Sequence, residues 1–201
     1  IGGTGSGKST VVNLIPRFYD ASAGQVCFFG QDVRKYRRKE LRNQIGIVPQ
    51  KAVLFAGTVR ENMQWGKKDA TDEEIWEALK TAQAEEFIRA KEGGLDANIE
   101  QGGRNLSGGQ RQRLTIARAL VKKPRVLILD DSASALDYAT DAALRKAIRQ
   151  MEGAPTVFIV SQRTSSLMSA DRILVLDDGE ATGYGTHEEL LKNCQTYREI
   201  Y

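Results

Sequence analysis

Gly2-Gly3-Thr4-Gly5-Ser6-Gly7-Lys8-Ser9 opens the chain and satisfies GxxxxGK[ST] at every constrained position. The composition follows from what such a stretch must do. Glycines let successive backbone N–H groups converge on an anion with no Cβ in the way. The helix that follows turns its positive dipole end to the same point. In this arrangement Lys8 reaches the outer phosphates of a nucleotide, and the Ser9 hydroxyl ligates Mg2+. Gly2, Gly3, Thr4, Gly5, Ser6, Gly7, Lys8, Ser9 and Thr10 are therefore the expected phosphate-binding set. The apolar positions Val11, Val12, Leu14 and Ile15 place the helix start near Lys8.

Working outward, short apolar runs bounded by turn residues read as strands at 25–29, 45–48, 126–129, 156–160 and 173–176. Helical patterns separate the later runs, around 137–151 and 164–170. Thr71-Asp72-Glu73-Glu74 has capping-box form ahead of Ile75, Trp76 and Leu79. Unbroken apolar runs alternating with helices imply strands buried on both faces, hence a parallel sheet. The expected fold is α/β, a P-loop NTPase core with a mainly parallel sheet plus an inserted α-helical subdomain. The core covers about residues 1–56 and 123–201 of one 1–201 domain, and the subdomain about 57–122. Asp130 ends the run at 126–129, at the sheet edge where α/β folds bind ligands, and is expected to hold Mg2+.

Composition removes several alternatives. A net charge of +3 over 201 residues does not suit a nucleic-acid binder. The dense basic run, Arg34-Lys35-Tyr36-Arg37-Arg38-Lys39, reads as a solvated face. Cys27 and Cys194 form no CxxC pair, which suits a reducing setting. No apolar run approaches the roughly 20 residues needed to span a bilayer. A membrane connection is thus expected from another chain or from upstream. A phosphate loop follows a buried strand, yet only Ile1 precedes Gly2, so leading strands are also expected upstream.

Leu106-Ser107-Gly108-Gly109-Gln110 precedes a helix carrying Leu114, Ile116, Ala117 and Leu120. Ser107 and Gln110 fit the S-x-x-Q capping box, a purely structural reading. A capped helix start with glycines is also an anion site. With the phosphate loop far upstream, LSGGQ resembles the ATPase domains of ABC transporters. Other stretches carry the resemblance through almost the whole chain: Ile47-Val48-Pro49-Gln50, Ser134-Ala135-Leu136-Asp137, and Gly185-Thr186-His187-Glu188-Glu189-Leu190. Arg17-Phe18-Tyr19-Asp20, residues 54–62 and Ile99-Glu100-Gln101-Gly102-Gly103 resemble the exporter branch.

The resemblance implies ATP with Mg2+, and a head-to-tail dimer. ATP then lies between the phosphate loop of one domain and the Leu106, Ser107, Gly108, Gly109 and Gln110 segment of the other, with Asp137 nearby. It implies that Gln50 senses Mg2+ and the attacking water. It implies transmembrane domains facing residues 99–103, a place on the cytoplasmic face of the cell membrane, and no nucleic acid. The adenine-stacking aromatic of the family is expected upstream of Ile1.

Two positions depart from the family pattern. Val126-Leu127-Ile128-Leu129-Asp130 resembles the family's Walker B strand, and where the family follows it with a glutamate as general base, this chain has Asp131. Its carboxylate is one C–C bond shorter, a retreat of roughly 1.5 Å. A misplacement near 1 Å can cost about 10²-fold in rate. Where the family has a histidine facing the γ-phosphate, Val160-Ser161-Gln162 supplies glutamine, which donates a hydrogen bond but carries no charge. The sole histidine, His187, falls between Thr186 and Glu189 and reads as a cap or surface residue. Asp131, Gln162 and Gln50 are the catalytic candidates. Weakened base and switch with an intact LSGGQ resemble the degenerate subunit of heterodimeric exporters. The alternatives are a regulatory module that hardly hydrolyses, and a soluble ABC-type ATPase.

Overall fold

The computed structural model describes residues 1–132, 134–162 and 164–201, with Ser165 described by its backbone alone. Helix α1 (Lys8–Leu14) is followed by strands β1 (Cys27–Phe28) and β2 (Gln31–Asp32), helix α2 (Arg38–Asn43) and strand β3 (Ile45–Val48). The middle holds β4 (Gly57–Thr58), α3 (Val59–Gln64), α4 (Asp72–Thr81), α5 (Glu85–Arg89), β5 (Asn98–Ile99) and α6 (Gly108–Leu120). Then come β6 (Val126–Asp130), α7 (Tyr138–Arg149), β7 (Thr156–Val160), β8 (Ile173–Asp177), β9 (Glu180–Gly185), α8 (His187–Asn193) and α9 (Gln195–Ile200). The residues form two compact units, one of 1–41 with 159–201, the other of 42–158.

In the unit of 42–158, β6 buries Val126, Leu127, Ile128 and Leu129 in succession. Such a run needs cover on both faces. β3 lies parallel to it, from Ile45 opposite Val126 to Val48 opposite Leu129, in a sheet of order β3-β6-β7. This is the parallel sheet that the unbroken apolar runs imply. α6 packs on β3, and α3 and α4 pack on α6. The expected box at Thr71 is formed: its hydroxyl accepts from the Glu74 amide while the Glu74 carboxylate accepts from the Thr71 amide. Arg60 on α3 donates to Asp96 at 2.9 Å and to Asp72, which fastens α3 to the first residue of α4.

The other unit differs from expectation in strand pairing. Residues 173–177 do form a strand, but β8 pairs antiparallel with β9. The turn between them, Asp178-Gly179, has φ of 44° and 82°. Two left-handed residues are what a tight type I′ hairpin needs. Gly2 adds a parallel bridge to Leu176, and Ile1 exchanges backbone hydrogen bonds with Leu174 and Leu176, each 2.8 Å. The phosphate loop thus springs from the parallel edge of a hairpin. Residues 25–29 supply only β1, which turns through Phe29-Gly30 onto β2. Over 164–170 a short 3-10 turn at Thr164–Ser166 stands in place of a longer helix.

The core of this unit gathers Ile1, Ile173, Val175, Leu190 and Tyr197. Tyr197 is fully buried, so its hydroxyl requires a partner. His187 provides it, with Nδ1 at 2.8 Å. The Thr186–Glu189 box is formed as expected, but the imidazole is buried rather than on the surface. Among the described residues, no helix is long and apolar enough to cross a membrane.

Candidate functional site

In the unit that carries the phosphate loop, Gly2 has no room for a side chain. A Cβ there would lie 2.1 Å from the Leu176 carbonyl oxygen and 2.6 Å from Ser6 Oγ. The Lys8 ammonium folds back over its own loop, donating to the Gly2 carbonyl at 2.8 Å, the Gly3 carbonyl and Ser6 Oγ at 3.2 Å. These bonds hold the loop in a tight arc, with Ser6 buried on its inner side. Gly7 caps α1 in the left-handed region. Gly3, Thr4, Gly5, Ser9 and Thr10 are exposed, so the loop's crest and the first turn of α1 face solvent. Gln162 in the same unit is exposed, just past β7 and the buried Ser161.

The unit of 42–158 holds the other candidates. Because β3 and β6 run parallel in register, the residues just beyond them emerge at the same sheet edge. Asp130 is the last residue of β6 and half-buried. Gln50 Nε2 donates to Asp131 Oδ2 at 3.2 Å. Asp131 has φ of 45°, in the left-handed region. Its carbonyl accepts from the Ser134 amide at 3.3 Å and Ser134 Oγ at 2.8 Å. The sequence marks Ser134 only as part of the Ser134–Asp137 stretch and not as a partner of Asp131, although a serine four residues past a strand end is a turn signal.

Ser107 is the N-cap of α6, and the box is reciprocal. Gln110 N donates to Ser107 Oγ at 3.2 Å, and Ser107 N to Gln110 Oε1 at 3.0 Å. Arg111 secures the preceding turn by donating to the Leu106 carbonyl at 2.6 Å. Ser107 and Gly108 are exposed and Leu106 is buried. A Cβ on Gly109 would lie 3.3 Å from the Ala135 carbonyl, so glycine lets α6 begin close against the segment after β6. In that segment Asp137 caps α7, its carboxylate accepting from Thr140 N at 2.9 Å and Thr140 Oγ1 at 2.7 Å. The Thr140 backbone bond, then its hydroxyl, hold the Asp137 carboxyl below its ordinary value.

Within the unit of 42–158, Gln50, Asp130 and Asp131 carry oxygen donors, a type that suits Mg2+ better than thiophilic metals, and Ser9 of the other unit carries a hydroxyl. Among the described residues no trio of His, Cys, Asp and Glu gathers in a metal-holding cluster.

Beside the Gln50 segment, the buried Asn62 amide clamps the chain by accepting from Phe55 N and donating to the Phe55 and Thr58 carbonyls. Gly102 N donates to the Leu54 carbonyl at 3.0 Å, which joins residues 54–58 to residues 99–103. The exposed rings of Phe55 and Trp65 lie 4.9 Å apart.

A family model described as ABC transporter matches residues 1–134. An uncharacterised ABC transporter ATP-binding protein of Mycobacterium tuberculosis is 48% identical over the whole of this chain, which covers 34% of that protein. A putative multidrug export ATP-binding/permease protein of Bacillus subtilis is 43% identical over the whole chain, which covers 35% of it. The structure of a bacterial Atm1-family ABC exporter with ATP bound superimposes with a TM-score of 0.93 at 38% identity, over 99% of this chain and 35% of that one. The chain spans about a third of the length of the relatives it matches.

Proposed function

The chain belongs to the ABC transporter family, and on that premise we propose that it is the ATP-binding and ATP-hydrolysing motor domain of an exporter. The observation that carries the reading is the presence, in one chain, of a phosphate loop closed by Lys8 and a glycine-flanked helix start capped by Ser107. Residues Gly2 to Thr10 grip the phosphates, and Lys8 exchanges loop carbonyls for phosphate oxygens. Ser9, Asp130 and Gln50 hold Mg2+, which when bound neutralises phosphate charge. Residues 57–122 act as the inserted helical subdomain. The exposed Phe55–Trp65 face where the core passes into this subdomain, with residues 99–103, meets the transmembrane domains at the cytoplasmic face of the membrane.

The chain's own site hydrolyses slowly. Asp131 is short and engaged by Gln50, and Gln162 cannot carry charge. A positioned base is worth roughly 10²–10⁴-fold, so its weakening alone accounts for slow turnover. Leu106, Ser107, Gly108, Gly109 and Gln110, with Asp137, complete the site of a second ATPase domain on a different subunit.

The test assembles the transporter with a catalytically complete partner. ATPase should rise well above background, and Ser107→Ala in this chain should lower it by about 100- to 1,000-fold, the scale of losing one transition-state donor. Background activity that Ser107 substitutions leave unmoved favours a regulatory module instead. Full activity of a homodimer removes the slow-site assignment.

A further inference from the structure

We propose that Asp131 is a positioning residue for Gln50, fixing which face of the glutamine amide is turned to the nucleotide's cation and water. The inference rests on the motor reading above and concerns the same site. Gln50 and Asp131 each follow the paired positions Val48 and Leu129 at the same edge of the parallel sheet. Their side chains meet at 3.2 Å.

A carboxylate accepts hydrogen bonds and cannot donate them, so of the two ends of the amide only Nε2 can face it. With Nε2 committed to Asp131, Oε1 becomes the atom Gln50 offers to a hard cation or a water. The backbone that carries this carboxylate is itself held. The left-handed backbone at Asp131 is one that aspartate and asparagine adopt more readily than other side chains. Ser134 pins the Asp131 carbonyl through both its amide and its hydroxyl. Asparagine at this position keeps shape and backbone preference, but it can face Gln50 with either an acceptor or a donor. The orientation of Gln50 is then no longer determined.

The experiment uses the assembled transporter with the partner's phosphate-loop lysine replaced, so that only this chain's site loads. Mn2+ is the probe, its affinity for the ATP-loaded site read by electron paramagnetic resonance. Single-turnover hydrolysis and thermal midpoints are measured beside it. Asp131→Asn should weaken Mn2+ about three- to tenfold, the range of coupled neighbouring side chains, and Asp131→Ala at least as much. In a Gln50→Ala background the Asp131→Asn change should have no further effect on Mn2+. Unchanged Mn2+ affinity in Asp131→Asn, with hydrolysis alone reduced, overturns the proposal in favour of a simple base. Equal weakening with and without Gln50 overturns it in favour of direct metal ligation. Failure of the unsubstituted chain to retain ATP overturns the motor reading, and this inference with it.

Discussion

At the scale of single residues, two positions are decided by backbone geometry. Gly2 sits where a methyl group would meet the Leu176 carbonyl at 2.1 Å. Gly2→Ala must therefore push the loop off β8, with an expected loss of about 1–3 kcal/mol of stability and of most ATP affinity. Chemical denaturation and nucleotide titration check both. Asp131 is the second position. Asp131→Glu lengthens the carboxylate but puts a side chain less tolerant of the left-handed region at φ of 45°. The expected stability loss is about 1 kcal/mol. Hydrolysis should gain fully only when Gln162→His is added, which single-turnover kinetics on both variants will reveal. The sequence showed the missing methylene at 131. It could not show the left-handed backbone or the Ser134 bonds, because these depend on how the turn closes.

At the scale of elements, capping separates structural from functional roles. Thr71 and Ser107 form the same reciprocal box on α4 and α6. Thr71→Ala and Ser107→Ala should each cost about 1 kcal/mol. Only the Ser107 change should also reduce turnover at the partner's nucleotide. Comparing the two variants by thermal unfolding and ATPase removes the capping contribution.

Asp137 adds a pH dependence at the start of α7. Its carboxyl lies below its ordinary value because Thr140 donates to the ionised form. The stabilisation is complete above the unfolded carboxylate value, about 3.9, and is lost as pH falls through the lower folded value. Hydrogen exchange of the Thr140 amide should quicken in that acid window. Asp137→Asn should retain the cap and abolish that pH dependence.

The capping boxes, the helix at Lys8 and the strands at 45–48 and 156–160 were legible because each signal is local. Strand direction at 173–177 was not. An apolar run reports burial, and the direction of its partner is set by the Asp178-Gly179 turn, a hairpin signal that the apolar reading passed over.

At the scale of the molecule, the proposed contact with transmembrane domains rests on the exposed aromatic face. Phe55 and Trp65 are 39% and 69% exposed, beside Arg118, whose burial lowers its pKa. Aromatic rings paired in solvent in this way are consistent with the proposed partner contact. Replacing both rings with alanine should change domain stability by only about 0.5 kcal/mol, the scale of exposed sites. In the assembled transporter the same variant should lose transport-stimulated ATPase, and paired unfolding and turnover measurements distinguish the two effects.

The buried His187–Tyr197 contact has a consequence of another kind. The chain has a single histidine, and it is sealed against the fully buried Tyr197 where α8 and α9 meet. Its ring protons are therefore an isolated magnetic-resonance beacon for the carboxy-terminal helices. Any opening of that corner moves one unobstructed signal.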